Sequence, residues 1–234
     1  MFNAGMVNES AVRFEKVRPE PLHVQVLSQI RGMILSGKAA PGQTLAETEL
    51  AAQLGVSRGP IRDALKVLER ERLVVSNPRR RAHVATLNAK DAEEIYSLRR
   101  SLELLASQRA IENATQADLD EMEDVLGRMQ RALDENDFIA MSHLDAAFHD
   151  VIYRASDHNR LYQLWQEIRA QVTFFLVSRE ASPITSQSIM IDEHRALLEA
   201  LADRDADRLL ALTEEHLLGA YDRILQALPE EERD

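Results

Sequence analysis

The chain of 234 residues contains no cysteine, which removes disulfides and thiolate metal sites from consideration and suits a reducing compartment. Aromatic residues make up only 5 %. Long Val-Ile-Thr runs are also missing, so a sheet-built core is disfavoured against helices rich in Leu and Ala. The opening "MFNAGMVNESAVRFEK" lacks the apolar stretch of a secretory signal. The most apolar later run, "VTFFLV", is far too short to span a bilayer. The expectation is a soluble, cytoplasmic protein with no membrane partner. No internal repeat or low-complexity segment is present.

The hydrophobic content is 45 %, enough for one large or two modest cores. The formal net charge of −11 argues against a nucleic-acid partner only until it is divided along the chain. Residues 1–85 hold 13 Lys+Arg against 8 Asp+Glu, whereas the remainder holds 15 against 31. A basic front and an acidic back predict two domains with different partners.

Residues 1–20 show no period and read as a flexible tail. From Pro21 to Ser36, Leu22, Val26, Ile30 and Ile34 recur every four residues, a helix. A short helix over Glu47–Leu54 ends at Gly55, a left-handed cap, and Val56 fills the gap before the next helix. Ser57 is the candidate N-cap of that third helix, which runs to about Arg72 with Pro60 in its first turn. Leu73-Val74-Val75 and His83-Val84-Ala85 flank the turn former Asn77-Pro78 and three arginines, predicting a two-stranded hairpin. Residues 21–86 thus read as a winged helix-turn-helix. Beyond Leu87 six helices are expected, about 91–113, 116–135, 137–155, 159–181, 186–203 and 205–228. Their proposed N-caps include Asp91, Asp137, Asn159 and Asp205. The predicted fold is mainly α, with an all-α antiparallel six-helix bundle over residues 89–228.

In the front half, the third helix would enter the major groove by its N-terminal end. Arg58 and Arg62 lie four apart and share one exposed face, while Ile61, Ala64, Leu65 and Leu68 supply the other. Arginine suits both guanine edges and phosphates. Arg79, Arg80 and Arg81 at the hairpin tip would reach the flanking backbone or minor groove. The stretch "PGQTLAETELAAQLGVSRGPIRDALKVLERERLV" resembles the DNA-binding signature of GntR-family transcription regulators. That resemblance implies operator contacts at Ser57, Arg58 and Arg62, supplemented from the wing. Two positions depart from the pattern. Arg81 stands where a glycine is usual in the wing, and Thr48 stands where some relatives carry a base-contacting arginine.

The back half has polar residues on faces that should be apolar. At ~100° per residue, Asp145 falls within the stripe of Phe138, Met141, Phe148 and Ile152, with His149 one turn on. His194 is central among Met190, Leu197, Leu198 and Leu201, and His216 flanks Leu209, Leu212, Ala220 and Ile224. Arg99 lies on a small-residue face that directs its head inward. His143 points the other way. An ionised carboxylate on an apolar face costs several kcal/mol unless paired or coordinated. One carboxylate and three imidazoles suit a divalent cation such as Zn²⁺, Ni²⁺ or Mn²⁺. A structural Asp145–His149 ion pair with hydrogen-bonded core histidines is the competing reading.

The stretches "LDAAFHDVIYRASDHNRLYQLW", "DEHRALLEAL" and "EEHLLGAYDRIL" resemble the FCD effector domain of the FadR-like branch of that family, in its six-helix, VanR-like form. The resemblance implies a divalent metal on Asp145, His149, His194 and His216, with Arg99 clamping a small organic acid. It further implies a homodimeric, metabolite-responsive regulator, a repressor by preference, on double-stranded operator DNA. A metal-ion sensor and a metal-dependent hydrolytic enzyme are the alternatives.

Overall fold

The computed structural model describes residues 21–76, 81–178 and 184–228, with side chains undescribed over 184–187. The expected tail at 1–20 lies outside these residues. The chain runs α1 (Leu22–Leu35), β1 (Thr44–Leu45), α2 (Glu47–Leu54), α3 (Arg58–Arg70), β2 (Val74–Val75) and β3 (Ala82–Val84). It continues through α4 (Ala89–Asn113), α5 (Gln116–Asp134), α6 (Phe138–Ala155), α7 (Asn159–Val177), α8 (Ile184–Ala202) and α9 (Ala206–Ala227).

The N-terminal part is a helix-turn-helix with a small sheet. Val26, Ile30 and Ile34 bury the expected face of α1 against Ile61, Leu65 and Leu68 of α3. Leu22, placed on the same stripe by spacing, is 48 % exposed at the first position of the helix. Gly55 adopts φ 64°, the left-handed geometry that ends α2, and Val56 packs against this core. The sheet has three strands rather than two, in the order β1-β3-β2, all antiparallel. The added strand is only Thr44–Leu45, too short for any alternation to register.

The C-terminal part is the expected set of six helices around a second core, in which Trp165, Phe148, Met122, Leu126 and Met129 are fully buried. Two caps differ by a few residues from the predicted ones. Asn88 caps α4 in a reciprocal box with Asp91, which therefore sits one turn inside. His158 caps α7 through Nδ1, so Asn159 is already helical. Asp137 and Asp205 cap α6 and α9 as expected. Helix α7 stops at Val177, short of the predicted 181. The Arg204 guanidinium donates to the carbonyls of Ala110, Ile111 and Ala114, closing the C-terminal end of α4 with a cation.

One aromatic ring joins the two parts. Phe174 of α7, 1 % exposed, belongs to the N-terminal core and packs with the residues around α1. Burying such a ring stabilises by roughly 1.5–3 kcal/mol, so α7 serves both cores. No helix among the described residues is long and apolar enough to cross a membrane.

Candidate functional site

The four inward-facing residues meet. Asp145 and His149 project from α6 one turn apart, His194 from α8 and His216 from α9. All four are buried, and one ligand atom from each lies within 4.8 Å of the others. Three partners set the direction of the imidazoles. His194 Nδ1 donates to the Met190 carbonyl at 2.7 Å, and His216 Nδ1 donates to Glu193 Oε2 at 2.8 Å. Glu103 Oε1 approaches His149 Nδ1 to 2.6 Å, a close contact without full hydrogen-bond alignment. Carbonyls and carboxylates only accept, so the ring protons belong on Nδ1. The Nε2 lone pairs therefore face the centre.

With the ring protons so placed, two contacts there are repulsive. His216 Nε2 faces His149 Nε2 at 3.2 Å, and His194 Nε2 faces Asp145 Oδ1 at 3.3 Å. Each sets lone pair against lone pair. His194 Nε2 and Asp145 Oδ2 are buried without a hydrogen-bond partner. A cation bound 2.0–2.1 Å from tetrahedral donors spaces them roughly 3.4 Å apart. The donor set and these orphaned atoms fit a divalent ion.

Burial opposes the Asp145 charge, but His194 and His149, wherever a proton sits on the side that faces it, and Arg99 outweigh it and hold the carboxyl well below the usual carboxylate range. Glu103, 0 % exposed, is likewise penalised by burial yet brought to about 2 by His149 and Arg99. Burial is also the largest influence on the histidines, lowering His149 and taking His216 to about 4 against the pull of Glu193. His149 and His216 are therefore neutral at neutral pH.

Arg99, 5 % exposed, donates through Nε to Glu103 Oε2 at 3.0 Å. Its Nη2 lies 4.0 Å from Asp145 Oδ2 and has no hydrogen-bond partner. The guanidinium sits 5.7 Å over the Trp165 ring, which stacks on Tyr153. A cavity of about 360 Å³ opens beside this cluster and reaches Arg99, Asp145 and His216. At its wall, Arg223 grips both oxygens of Glu193 at 2.9 Å each.

At the other end of the molecule, Ser57 occupies the N-cap of α3 without a side-chain capping bond. Arg58 and Arg62 are exposed on the first turns of α3, and both bind one carboxylate. Glu47 Oε2 accepts from Arg58 Nη2 at 2.8 Å and from Arg62 Nη2 at 3.0 Å. The hydrogen bonds from Arg62 and Arg58 hold Glu47 down at about 2. Arg81 is exposed just before β3, and Thr48 is exposed on α2. Arg79 and Arg80 lie outside the described residues.

Sequence reasoning gave Glu47 and Arg223 no role, and treated Glu103 and Glu193 only as candidate bases for the hydrolytic alternative. Glu103 carried a usable signal, being four residues from Arg99 on the same helical face. Glu47 and Arg223 carried none, since their partners come from distant turns.

The family model described as "Bacterial regulatory proteins, gntR family" matches residues 22–84, and the FCD domain matches residues 94–219. The Nta operon transcriptional regulator of Aminobacter aminovorans is 30 % identical over 201 residues, covering 84 % of this chain and 91 % of that one. The gluconate operon transcriptional repressor of Bacillus subtilis is 27 % identical over 205 residues, covering 86 % and 84 %. Among solved structures, E. coli McbR/YncC superposes with a TM-score of 0.78 at 26 % identity, covering 89 % of this chain and 99 % of that one. A putative GntR regulator from Rhodococcus sp. RHA1 shares the fold, with a TM-score of 0.80 at 24 % identity. These relatives are transcription regulators rather than enzymes. The chain belongs to the GntR family of bacterial transcription regulators, with a helix-turn-helix of that family followed by an FCD domain.

Proposed function

We propose that this regulator binds a divalent metal on Asp145, His149, His194 and His216, and that a small organic acid on that metal sets its affinity for operator DNA. The observation that carries the reading is the pair of facing lone pairs, His216 Nε2 to His149 Nε2 at 3.2 Å and His194 Nε2 to Asp145 Oδ1 at 3.3 Å. A cation between them converts repulsion into coordination.

Charge counting extends the argument from metal to acid. The centre buries two carboxylates, Asp145 and Glu103, and one guanidinium, Arg99. Those three charges sum to −1, which a divalent ion turns to +1. A single carboxylate restores neutrality, and the free Arg99 Nη2 offers it a donor. When bound, the metal supplies a Lewis-acidic anchor for that carboxylate. The protein fixes the imidazoles from behind through Glu103, Glu193 and the Met190 carbonyl.

On the DNA side, Ser57, Arg58 and Arg62 read the major groove, with Arg79, Arg80 and Arg81 on the flanking backbone. The two parts correspond to domains at residues 21–86 and 89–228, a division supported by the two separate cores. A homodimer would present two α3 helices to a pseudo-palindromic site, and the cytoplasm is the natural place for it. Repression is favoured by analogy with the gluconate operon relative.

Operator binding measured against metal, with and without small carboxylates, tests the mechanism. The reading expects metal-loaded protein to change its DNA affinity only when an acid is added. A response to metal alone identifies a metal sensor instead. Arg58→Gln is expected to abolish operator binding with metal content and helical signal unchanged, and wild-type binding by this variant refutes α3 as the reading helix.

A further inference from the structure

The shape of the cavity says more about the acid than its charge does. Its polar end is the centre itself, where Asp145, His216 and Arg99 converge. From Asp145 the cavity runs back along α6 past Met141 to Phe138, positions seven, three and zero residues from the start of that helix and all on one face. At 1.5 Å per residue this is about 10 Å. The opposite walls are Leu176 and Val177 from the end of α7 and Met190 from α8, and Ile139 stands near the far end. These side chains offer no hydrogen bonds, and the hydroxyl of Ser142 is already donated to the Phe138 carbonyl. Arg223 is held by Glu193.

The far end is bordered in part by the other half of the molecule. Ser36 and Gly37, at the C-terminal turn of α1, line the same cavity, as do Asn136 and Asp137. The Asp137 carboxylate there, accepting from the Ala140 amide, repels a second negative group on the ligand.

We propose that the effector is a monocarboxylate with an apolar body about 10 Å long, whose tail rests on the Ser36–Gly37 turn. This rests on the reading of the centre as a metal-and-acid site. Hydroxyls along the body would be buried against Met141, Leu176 and Val177 without partners, so polyhydroxy acids are disfavoured. The tail would touch α1, which packs directly on α3, giving the ligand a physical purchase on the DNA-reading helix. A short acid fills the metal end and leaves that turn untouched.

The test uses full-length, metal-loaded protein and three probes, acetate, gluconate and octanoate, titrated calorimetrically. Octanoate is expected to bind at least about tenfold more tightly than acetate through its buried methylenes, and gluconate no more tightly than acetate. Hydrogen exchange of the Ser36 and Gly37 amides is expected to slow with octanoate and not with acetate. Ile139→Glu, a change at a 40 % exposed position, is expected to weaken octanoate about tenfold and leave acetate unchanged. Acetate binding with octanoate no tighter, or with gluconate tighter, overturns the apolar-body inference and leaves the metal-and-acid reading standing. Octanoate binding that Ile139→Glu does not weaken, or that leaves the Ser36–Gly37 amides unprotected, overturns it too. If none of the three acids binds the loaded protein, both readings fall.

Discussion

Replacing Glu103 with glutamine removes one buried negative charge while keeping the shape of the side chain. In the wild-type centre that carboxylate touches His149 Nδ1 at 2.6 Å and takes the Arg99 Nε–H at 3.0 Å. Without metal, the variant leaves Asp145 facing Arg99 alone, a neutral set where the wild type carries −1. The lost charge-assisted bond costs about 1.5–3 kcal/mol, and relief of the surplus negative charge offsets part of it. The metal-free melting temperature is therefore expected to fall by less than the roughly 6–12 °C that about 3 kcal/mol would give, since about 1 kcal/mol corresponds to 2–4 °C in a chain of this size. Metal binding feels the change fully. A divalent ion now raises the buried charge to +2, and His149 loses the base that orients it. Loss of such a supporting partner weakens metal affinity about 10–100-fold, or about 1.4–2.7 kcal/mol. Competition against a chromophoric chelator at pH 7.5 measures the affinity, and melting curves with and without chelator measure the stability. A variant that binds metal within twofold of the wild type refutes the charge count. So does a metal-free variant destabilised by the 3–5 kcal/mol typical of a broken buried pair.

Three further outcomes follow from the same geometry. Arg99→Met leaves two buried carboxylates without a cation, so the metal-free protein should lose about 3–5 kcal/mol in urea unfolding, while the metal-loaded variant keeps its ion and no longer responds to acids. Because burial lowers His216 to about 4 in the folded chain, the unfolded chain binds its proton first as pH falls. Metal-free stability should therefore be full above about 6.5 and decline towards 4, a slope that His216→Phe flattens; equal slopes in the two proteins would remove His216 as its source. Glu47→Gln releases Arg58 and Arg62 and removes a charge that repels phosphate, so binding to random duplex is expected to rise severalfold and the preference for operator to narrow; unchanged affinity for random duplex would show that Glu47 does not hold the arginines in solution.

The helices and the four central residues were legible because both depend on period. Asp145 and His194 stood on faces whose neighbours at three and four residues are apolar, and the wheel alone says that such a face turns inward. Arg99 was found in the same way. Strand β1 was invisible, since two residues carry no alternation. The caps at Asn88 and His158 slipped because Asp91 and Asn159 are equally good cap formers a few residues on. The tip arginines Arg79 and Arg80 lie outside the described residues.

What a single sequence cannot carry is the choice of partner across helices. Glu103 and Arg99 share a face of α4, but only the packing of α4 on α6 decides that one carboxylate serves both His149 and the guanidinium. Likewise, nothing in the order of residues ties Ser36 to Met190, although the two line one cavity. Periodicity reports which way a side chain points; tertiary packing decides what it meets. The charge balance of the centre and the passage from its four donors to α1 both belong to that second level. The four central residues are common to many conceivable metal sites. On the proposed reading, Glu103, Arg99 and the turn at Ser36–Gly37 are what would turn this one from an ion site into a contact between a ligand and the DNA-reading half.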